Sequence, residues 1–443
     1  VRGGALLRFT FSLFVAASAF AATPIPPIAF QHRTLANGLE VYTVEDHSAP
    51  TVAVHVWYRV GSKDDPPSRS GFAHLFEHLM FKSTAHMAPE MMDRLTEDVG
   101  GMNNATTEDD ETKYYEVIPS NYLQTLLWAE GERMGSLTVD EANFKSEREV
   151  VKEEFRSRIL APPYGKFFYA IDKDSFAVHP YRRPGIGSIE DLDASTLADV
   201  QAFHSTFYRP DNAVMIIAGD FEPKQLDAWL DRYLAAVPRP SQSVPRVTAK
   251  EPPRTAEKRV SEHGAEVPLP AVALTWLAPP ASSADAPALS VAEAMLSAGD
   301  SSRLYQSLVY RQQIAQQANA YSDLREDLGL FAVIAIMASD HNPREGEKAL
   351  RAELAKLASA PVSTAELEKA KNLVVTAALR ERETTDGKAS AIGDALILQH
   401  DASYANRGLE LLQRVTAADV QRVIRKYVTG AKAVVIDYTS EAK

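Results

Sequence analysis

The chain repeats itself once, and the repeat limits its architecture more than any local pattern does. Asp199-Val200-Gln201 recurs as Asp419-Val420-Gln421, and Ala213-Val214-Met215-Ile216-Ile217 is met by Ala433-Val434-Val435-Ile436-Asp437, each pair 220 positions apart. Each copy reads as a short helix, a basic or aromatic turn (Phe207-Tyr208-Arg209 and Lys426-Tyr427) and a strand. A shared ungapped register predicts two homologous halves. The length agrees, because 443 residues exceed what one hydrophobic core comfortably supports. Between the copies, Val237-Pro238-Arg239-Pro240-Ser241-Gln242-Ser243-Val244-Pro245 continues to Pro252-Pro253 as a polar stretch without periodicity, which predicts a linker.

The first residues belong to a different category. Arg2 and Arg8 flank the start of an apolar run from Phe9 to Ala22, and Ala19-Phe20-Ala21 has the small-x-small form of a signal-peptidase site. Cleavage after Ala21 and export to a periplasm are the expectation, and the absence of cysteine is compatible with an oxidising compartment. The run falls short of the roughly 20 residues of a spanning helix, so no membrane association is expected after cleavage. The expected organisation is a signal peptide over 1–21, a first domain over 22–236, a linker over 237–256 and a second domain over 257–443.

Each half mixes strands with helices. Leu39-Glu40-Val41-Tyr42-Thr43-Val44 and Thr51 to Tyr58 show the alternation of half-buried strands, while helices are expected around His74 to His78, from Asn121 to Met134 and around Glu147 to Arg158. The fold class predicted is α+β, two related halves in which helices pack on a mainly antiparallel sheet.

The chemistry is concentrated in His74-Leu75-Phe76-Glu77-His78. Residues four apart sit one above the other on a helix, so both imidazoles can grip one divalent ion while Glu77 leans over the same face. Phe72, Leu75, Phe76 and Leu79 fill the opposite side, which makes one face a packing surface and the other the wall of a cleft. A catalytic zinc ion usually has three protein ligands, and the chain has no cysteine to offer. The suggestive downstream run is Glu147 to Glu154, whose end members are seven apart and share a helix face, so that one can ligate while the other orients a histidine. Glu153 is a competitor. Serine or cysteine nucleophile chemistry has no support, there being neither a cysteine nor a G-x-S-x-G elbow. A net charge of −12 without a basic stripe argues against nucleic acid.

The segment Gly71 to Lys82 resembles the first signature of the pitrilysin-type zinc peptidases, the family of insulin-degrading enzyme and the mitochondrial processing peptidase, with its inverted H-x-x-E-H. Glu147-Arg148 to Glu154 resembles the second. The resemblance implies two α/β-roll halves enclosing a peptide chamber, one Zn²⁺ per chain on His74, His78 and Glu154, Glu77 as general base and Glu147 as helper of a histidine. It also implies that Asn104-Ala105 binds the peptide backbone along an edge strand. Arg303 and Tyr310, seven apart in Ser301-Ser302-Arg303-Leu304-Tyr305-Gln306-Ser307-Leu308-Val309-Tyr310, match an Arg/Tyr pair that the family brings to the zinc from a C-terminal domain. In two-domain members that pair comes from another subunit, so a homodimer acting on peptides is expected. The alternatives are a heterodimer with a metal-free relative, a non-catalytic peptide-binding subunit and a hydrolase of small molecules.

Overall fold

The computed structural model describes residues 25–441; the expected export segment lies outside them. The first half holds a six-stranded sheet of β1 (Gln31–Thr34), β2 (Glu40–Glu45), β3 (Thr51–Tyr58), β4 (Met102–Thr107), β5 (Thr112–Pro119) and β6 (Ala213–Gly219), in the order β1-β2-β6-β3-β5-β4. The second holds β7 (Lys258–Gly264), β8 (Ala271–Ala278), β9 (Ala315–Asp323), β10 (Gly329–Met337) and β11 (Val434–Ser440), in the order β7-β11-β8-β10-β9. β2 runs parallel to β6 as β7 does to β11, and the remaining pairs are antiparallel. Apart from the additional β1, the second sheet repeats the first. The mixed α/β fold in two related halves is the one expected.

Helices used below are α1 (Phe72–Leu79), α2 (Glu141–Phe155), α3 (Gly165–Ser175), α4 (Leu197–Phe207), α5 (Ala286–Ser297), α6 (Thr364–Glu381), α7 (Thr385–Leu398) and α8 (Ala417–Ile424). The repeated Asp-Val-Gln string has a physical task at each letter. Asp199 and Asp419 close capping boxes with Thr196 and Thr416 at the starts of α4 and α8, satisfying helix N–H groups that have no partner within the helix. Val200 and Val420 are fully buried. Gln201 Nε2 donates to the Val139 carbonyl at 2.9 Å, and Gln421 Nε2 donates to the Ala360 carbonyl at 2.6 Å. The same cap, core contact and tether occur in both halves.

The halves also trade helices. Phe167 and Ala170 of α3 pack on the second sheet against Ala271, Ala273, Ile334, Val434 and Ile436. Their counterpart α7, which begins 220 positions later, packs Ala389, Ile392 and Leu396 on the first sheet against Tyr42, Trp57, Val214 and Ile216. Close approach there depends on Gly393, where a Cβ would lie 2.2 Å from Trp57 Cε2. His55, fully buried on β3, meets Asp386 of α7 at 2.9 Å.

Two further contacts join the halves. The segment between Tyr233 and Lys258 has neither helix nor strand, yet it is pinned along its length. Arg246 donates to the Arg59 carbonyl and to Asn212 Oδ1, the Glu251 carboxylate accepts the N–H groups of Ala177, Val178 and His179, and Arg254 bridges the halves by donating to the carbonyls of Ser175 and Thr275. Equivalent hairpin turns then meet: Arg325 of the β9–β10 turn pairs with Asp109 of the β4–β5 turn at 2.8 Å. The Lys63 ammonium sits among Asp110, Glu326 and Asp327 as their counter-ion. No helix among the described residues is long and apolar enough to cross a membrane.

Because α7 belongs to one half and covers the other, a side chain at Gly393 has nowhere to go. Gly393→Ala is expected to lower stability by about 1–3 kcal/mol, the usual cost of overpacking, read as an earlier midpoint in chemical denaturation. Unchanged stability would show that α7 does not hold the first sheet.

Candidate metal centre

The helix that carries the motif starts under tight control. Gly71, at φ 94°, is its N-cap and has no side chain to offer, so Asp65 takes the role: its carboxylate accepts the N–H groups of Gly71 at 2.6 Å and Ala73 at 2.9 Å. A positive φ and the Ile186 carbonyl 3.0 Å from a would-be Cβ leave glycine as the suitable residue at 71. Burial pushes the Asp65 carboxyl up to about 7 although these N–H groups favour its anion. Further along, the Tyr114 hydroxyl donates to the Phe76 carbonyl at 2.9 Å, and Leu75, Phe76 and Leu79 enter the first-half core.

The second helix starts where its cap dictates. The Asp140 side chain accepts from Asn143 N–H, so α2 begins at Glu141, ahead of the charged run that suggested it. Phe144, Val151 and Phe155 are buried, and this turns Glu147 and Glu154 toward α1. Glu153 points away, 72% exposed and paired with Arg156.

Glu154 Oε2 lies 3.5 Å from His74 Nε2 and 3.3 Å from His78 Nε2. One ligand atom from each of these three residues falls within 4.8 Å of the others. Glu147 Oε2 stands 3.6 Å from His78 Nδ1, and its other oxygen is held by Lys82 Nζ at 3.0 Å. Arg158 Nη1 pairs with Glu154 Oε1 at 2.6 Å. Glu77, one residue before His78, is half-buried on the same wall.

The electrostatics are divided between the two histidines. Burial, reinforced by the neighbouring His78, lowers His74 to about 4, which leaves it a neutral imidazole. Burial also opposes a charge on His78, but Glu147 and Glu154 outweigh it and raise that ring to about 9. Hydrogen bonding to His78 holds Glu154 below its ordinary value. Burial moves Glu77 the other way, up. Two imidazoles and one carboxylate are a donor set that suits zinc, and they fit it here because their atoms already converge from two rigid helices.

Of the other expected residues, two lie on a strand that packs against α1 and two lie in the second half. Asn104 and Ala105 sit on β4, the outer strand of the first sheet, and the Ala105 N–H is taken by Asn104's own side chain at 2.8 Å. Arg303 is engaged by Glu366 at 2.6 Å, and Tyr310 is 67% exposed. Neither is hydrogen-bonded or ion-paired to the motif residues of its own chain among the described residues. The helical-face argument for this pair needs correction: Tyr305–Arg311 winds as a π-helix, whose wider turns do not return residues seven apart to one face.

The second half offers an internal comparison: it has no H-x-x-E-H, and its helix α6, aligned with α2 on the caps Ser363 and Asp140, has Ala370 and Ala377 where α2 has Glu147 and Glu154. The supporting residues Lys82, Arg158 and Asp65 escaped the reading of the sequence. The first two stand four residues after His78 and Glu154, the helix-neighbour spacing that could have pointed to them.

Residues 40–162 match the family Insulinase (Peptidase family M16), and residues 194–374 match the Peptidase M16 inactive domain. A zinc protease, PqqE, of Helicobacter pylori is 30% identical over 412 residues, covering 91% of each chain. A protein of Arabidopsis thaliana named as a probable mitochondrial-processing peptidase subunit beta is 26% identical over 408 residues, covering 89% of this chain and 75% of its own. The crystal structure of a protease from Helicobacter pylori superposes with a TM-score of 0.89 at 29% identity, over 93% of this chain and 100% of that one. The chain belongs to the M16 peptidase family.

A metal ion bound at this centre has to displace the proton that His78 carries. Zinc uptake at pH 7 is expected to release about one proton per ion, and the apparent affinity to rise roughly tenfold per pH unit until pH approaches 9. Calorimetry in buffers of different ionisation enthalpy reads the proton count. Uptake without proton release would contradict the charge assigned to His78.

Proposed function

We propose that the chain is a zinc-dependent endopeptidase that hydrolyses unstructured peptides or oligopeptides between its halves. The observation that carries this reading is the convergence of His74, His78 and Glu154, with Glu77 beside them, on two core-packed helices. Membership of a family whose relatives are named zinc proteases supports it.

A zinc ion, one per chain, would supply a Lewis acid for the scissile carbonyl and a water of lowered pKa. Glu77 takes the proton of the attacking water onto its carboxylate and returns it to the leaving amine nitrogen; its raised pKa suits both directions. Glu147 fixes the tautomer of His78, and Lys82 keeps Glu147 anionic for that task. The β4 edge receives an extended peptide by backbone pairing at Asn104 and Ala105, the N–H of Ala105 passing from the Asn104 side chain to the substrate. Arg303 and Tyr310 of a neighbouring copy stabilise the oxyanion, a role in trans supported by the exposure of Tyr310 and by its separation from the motif residues of its own chain. A homodimer acting in an exported compartment follows; the alternative is a heterodimer with a metal-free relative.

Glu77→Gln is expected to keep one zinc per chain and to lose about 10²–10⁴-fold in kcat on an unstructured peptide; cleavage equal to wild type would sink the assignment. The trans arrangement has its own test. Mixing Glu77→Gln and Tyr310→Phe chains should restore roughly a quarter of wild-type activity, because random pairing gives half mixed dimers with one intact site each. No restoration would place Tyr310 in the same chain's site or outside the reaction.

A further inference from the structure

The two oxygens of Glu154 have different surroundings. Oε2 faces both histidines, at 3.5 and 3.3 Å, whereas Oε1 is held at 2.6 Å by Arg158 Nη1. Among the described residues, Arg158 is the one lysine or arginine paired with Glu154. It is 71% exposed and its partner 14%, so the guanidinium closes the solvent side of a carboxylate that otherwise looks inward.

Exposed pairs four apart on a helix usually contribute little to stability. This one matters for the oxygen it removes. A catalytic zinc ion takes three protein ligands and needs one position left for water or substrate. A carboxylate that binds through both oxygens competes for that position. We propose that Arg158 is a positioning residue that restricts Glu154 to ligation through Oε2 and so keeps one position of the metal free of protein; this rests on the reading of His74, His78 and Glu154 as a catalytic zinc set.

Two observations support the assignment independently of stability. The guanidinium charge reaches His74 and Glu77 as well as Glu154, so it stands at the mouth of the whole cluster and opposes a second cation there. In the duplicated half, α6 aligned with α2 on the caps Ser363 and Asp140 has Ala377 in place of Glu154 and Glu381 in place of Arg158, so both members of the pair are missing there. The backbone differs too: Arg156–Leu160 winds as a π-helix, a feature frequent at functional sites, while the equivalent helix α6 stays α-helical to Glu381.

Wild type, Arg158→Ala and Arg158→Lys would be compared by chelator competition for zinc, by X-ray absorption at the zinc edge and by steady-state cleavage of an unstructured peptide. Thermal midpoints should agree, since Arg158 is exposed. Arg158→Ala is expected to bind zinc about 10-fold tighter, to gain an oxygen ligand and to lose about 10–100-fold in kcat, the scale on which groups behind metal ligands act, with KM little changed. Arg158→Lys, which keeps a cation on Oε1, is expected to return toward wild type in all three. An Arg158→Ala protein with wild-type affinity and spectrum, or with weaker zinc binding, would overturn the proposal while leaving the peptidase reading intact. Wild type that takes up no zinc would remove both.

Discussion

Three carboxylates brought into a largely buried pocket have to be balanced, and the arrangement around the motif follows from that requirement. Glu77, Glu147 and Glu154 line the space around two imidazoles, where a low dielectric makes unpaired charge costly. Without an ion the balance is struck by three positive groups: the proton on His78, the ammonium of Lys82 and the guanidinium of Arg158. Of these only the proton can leave without moving the chain. In the proposed zinc site, uptake of one divalent cation would therefore displace one proton. The neutral imidazole of His74 stands ready as the second nitrogen ligand.

The duplicated half shows what the same framework does without that demand. It keeps the strand order, the capping boxes and the glutamine tether, yet it has no H-x-x-E-H, and alanines stand at the α6 positions equivalent to Glu147 and Glu154. Its work is mechanical. Its helix α7 covers the first sheet, its β9–β10 turn grips the turn that follows β4, and Arg254 of the segment between the halves adds a third tie by donating to the Ser175 and Thr275 carbonyls. Because each half covers the other's sheet with an equivalent helix, the half that carries the histidine motif is held by the half that lacks it. The C-terminal end of β4, the strand where peptide binding is proposed, is positioned from across that boundary.

Much of this was legible in the residues. The recurrence of Asp-Val-Gln foretold two halves because each letter has a fixed task at a helix start. The spacing of His74, Glu77 and His78 foretold one face of one helix, and Glu147 with Glu154 another. Other features left no periodic trace. An amphipathic helix declares that it has an apolar face, but not whose sheet it will cover, so the exchange of α3 and α7 could not be read. A π-turn has no hydrophobic period distinct from that of its α-helical flanks, which is why the shared face expected for Arg303 and Tyr310 does not survive. Asp65 caps α1 from six residues upstream of Gly71, in a loop, where no spacing rule points to it. Lys82 and Arg158 had the right spacing, yet on a charged helix surface they looked like ordinary solvated residues.

The central claim is that His74, His78 and Glu154 form the seat of one zinc ion. Anomalous diffraction from zinc-soaked crystals, recorded on both sides of the zinc absorption edge, tests it most directly. One peak per chain bounded by the Nε2 atoms of His74 and His78 and by Glu154 Oε2 is the result the account requires. A peak among Asp110, Glu326 and Asp327, the other group among the described residues close enough to hold a cation, with none at the histidines, would contradict it.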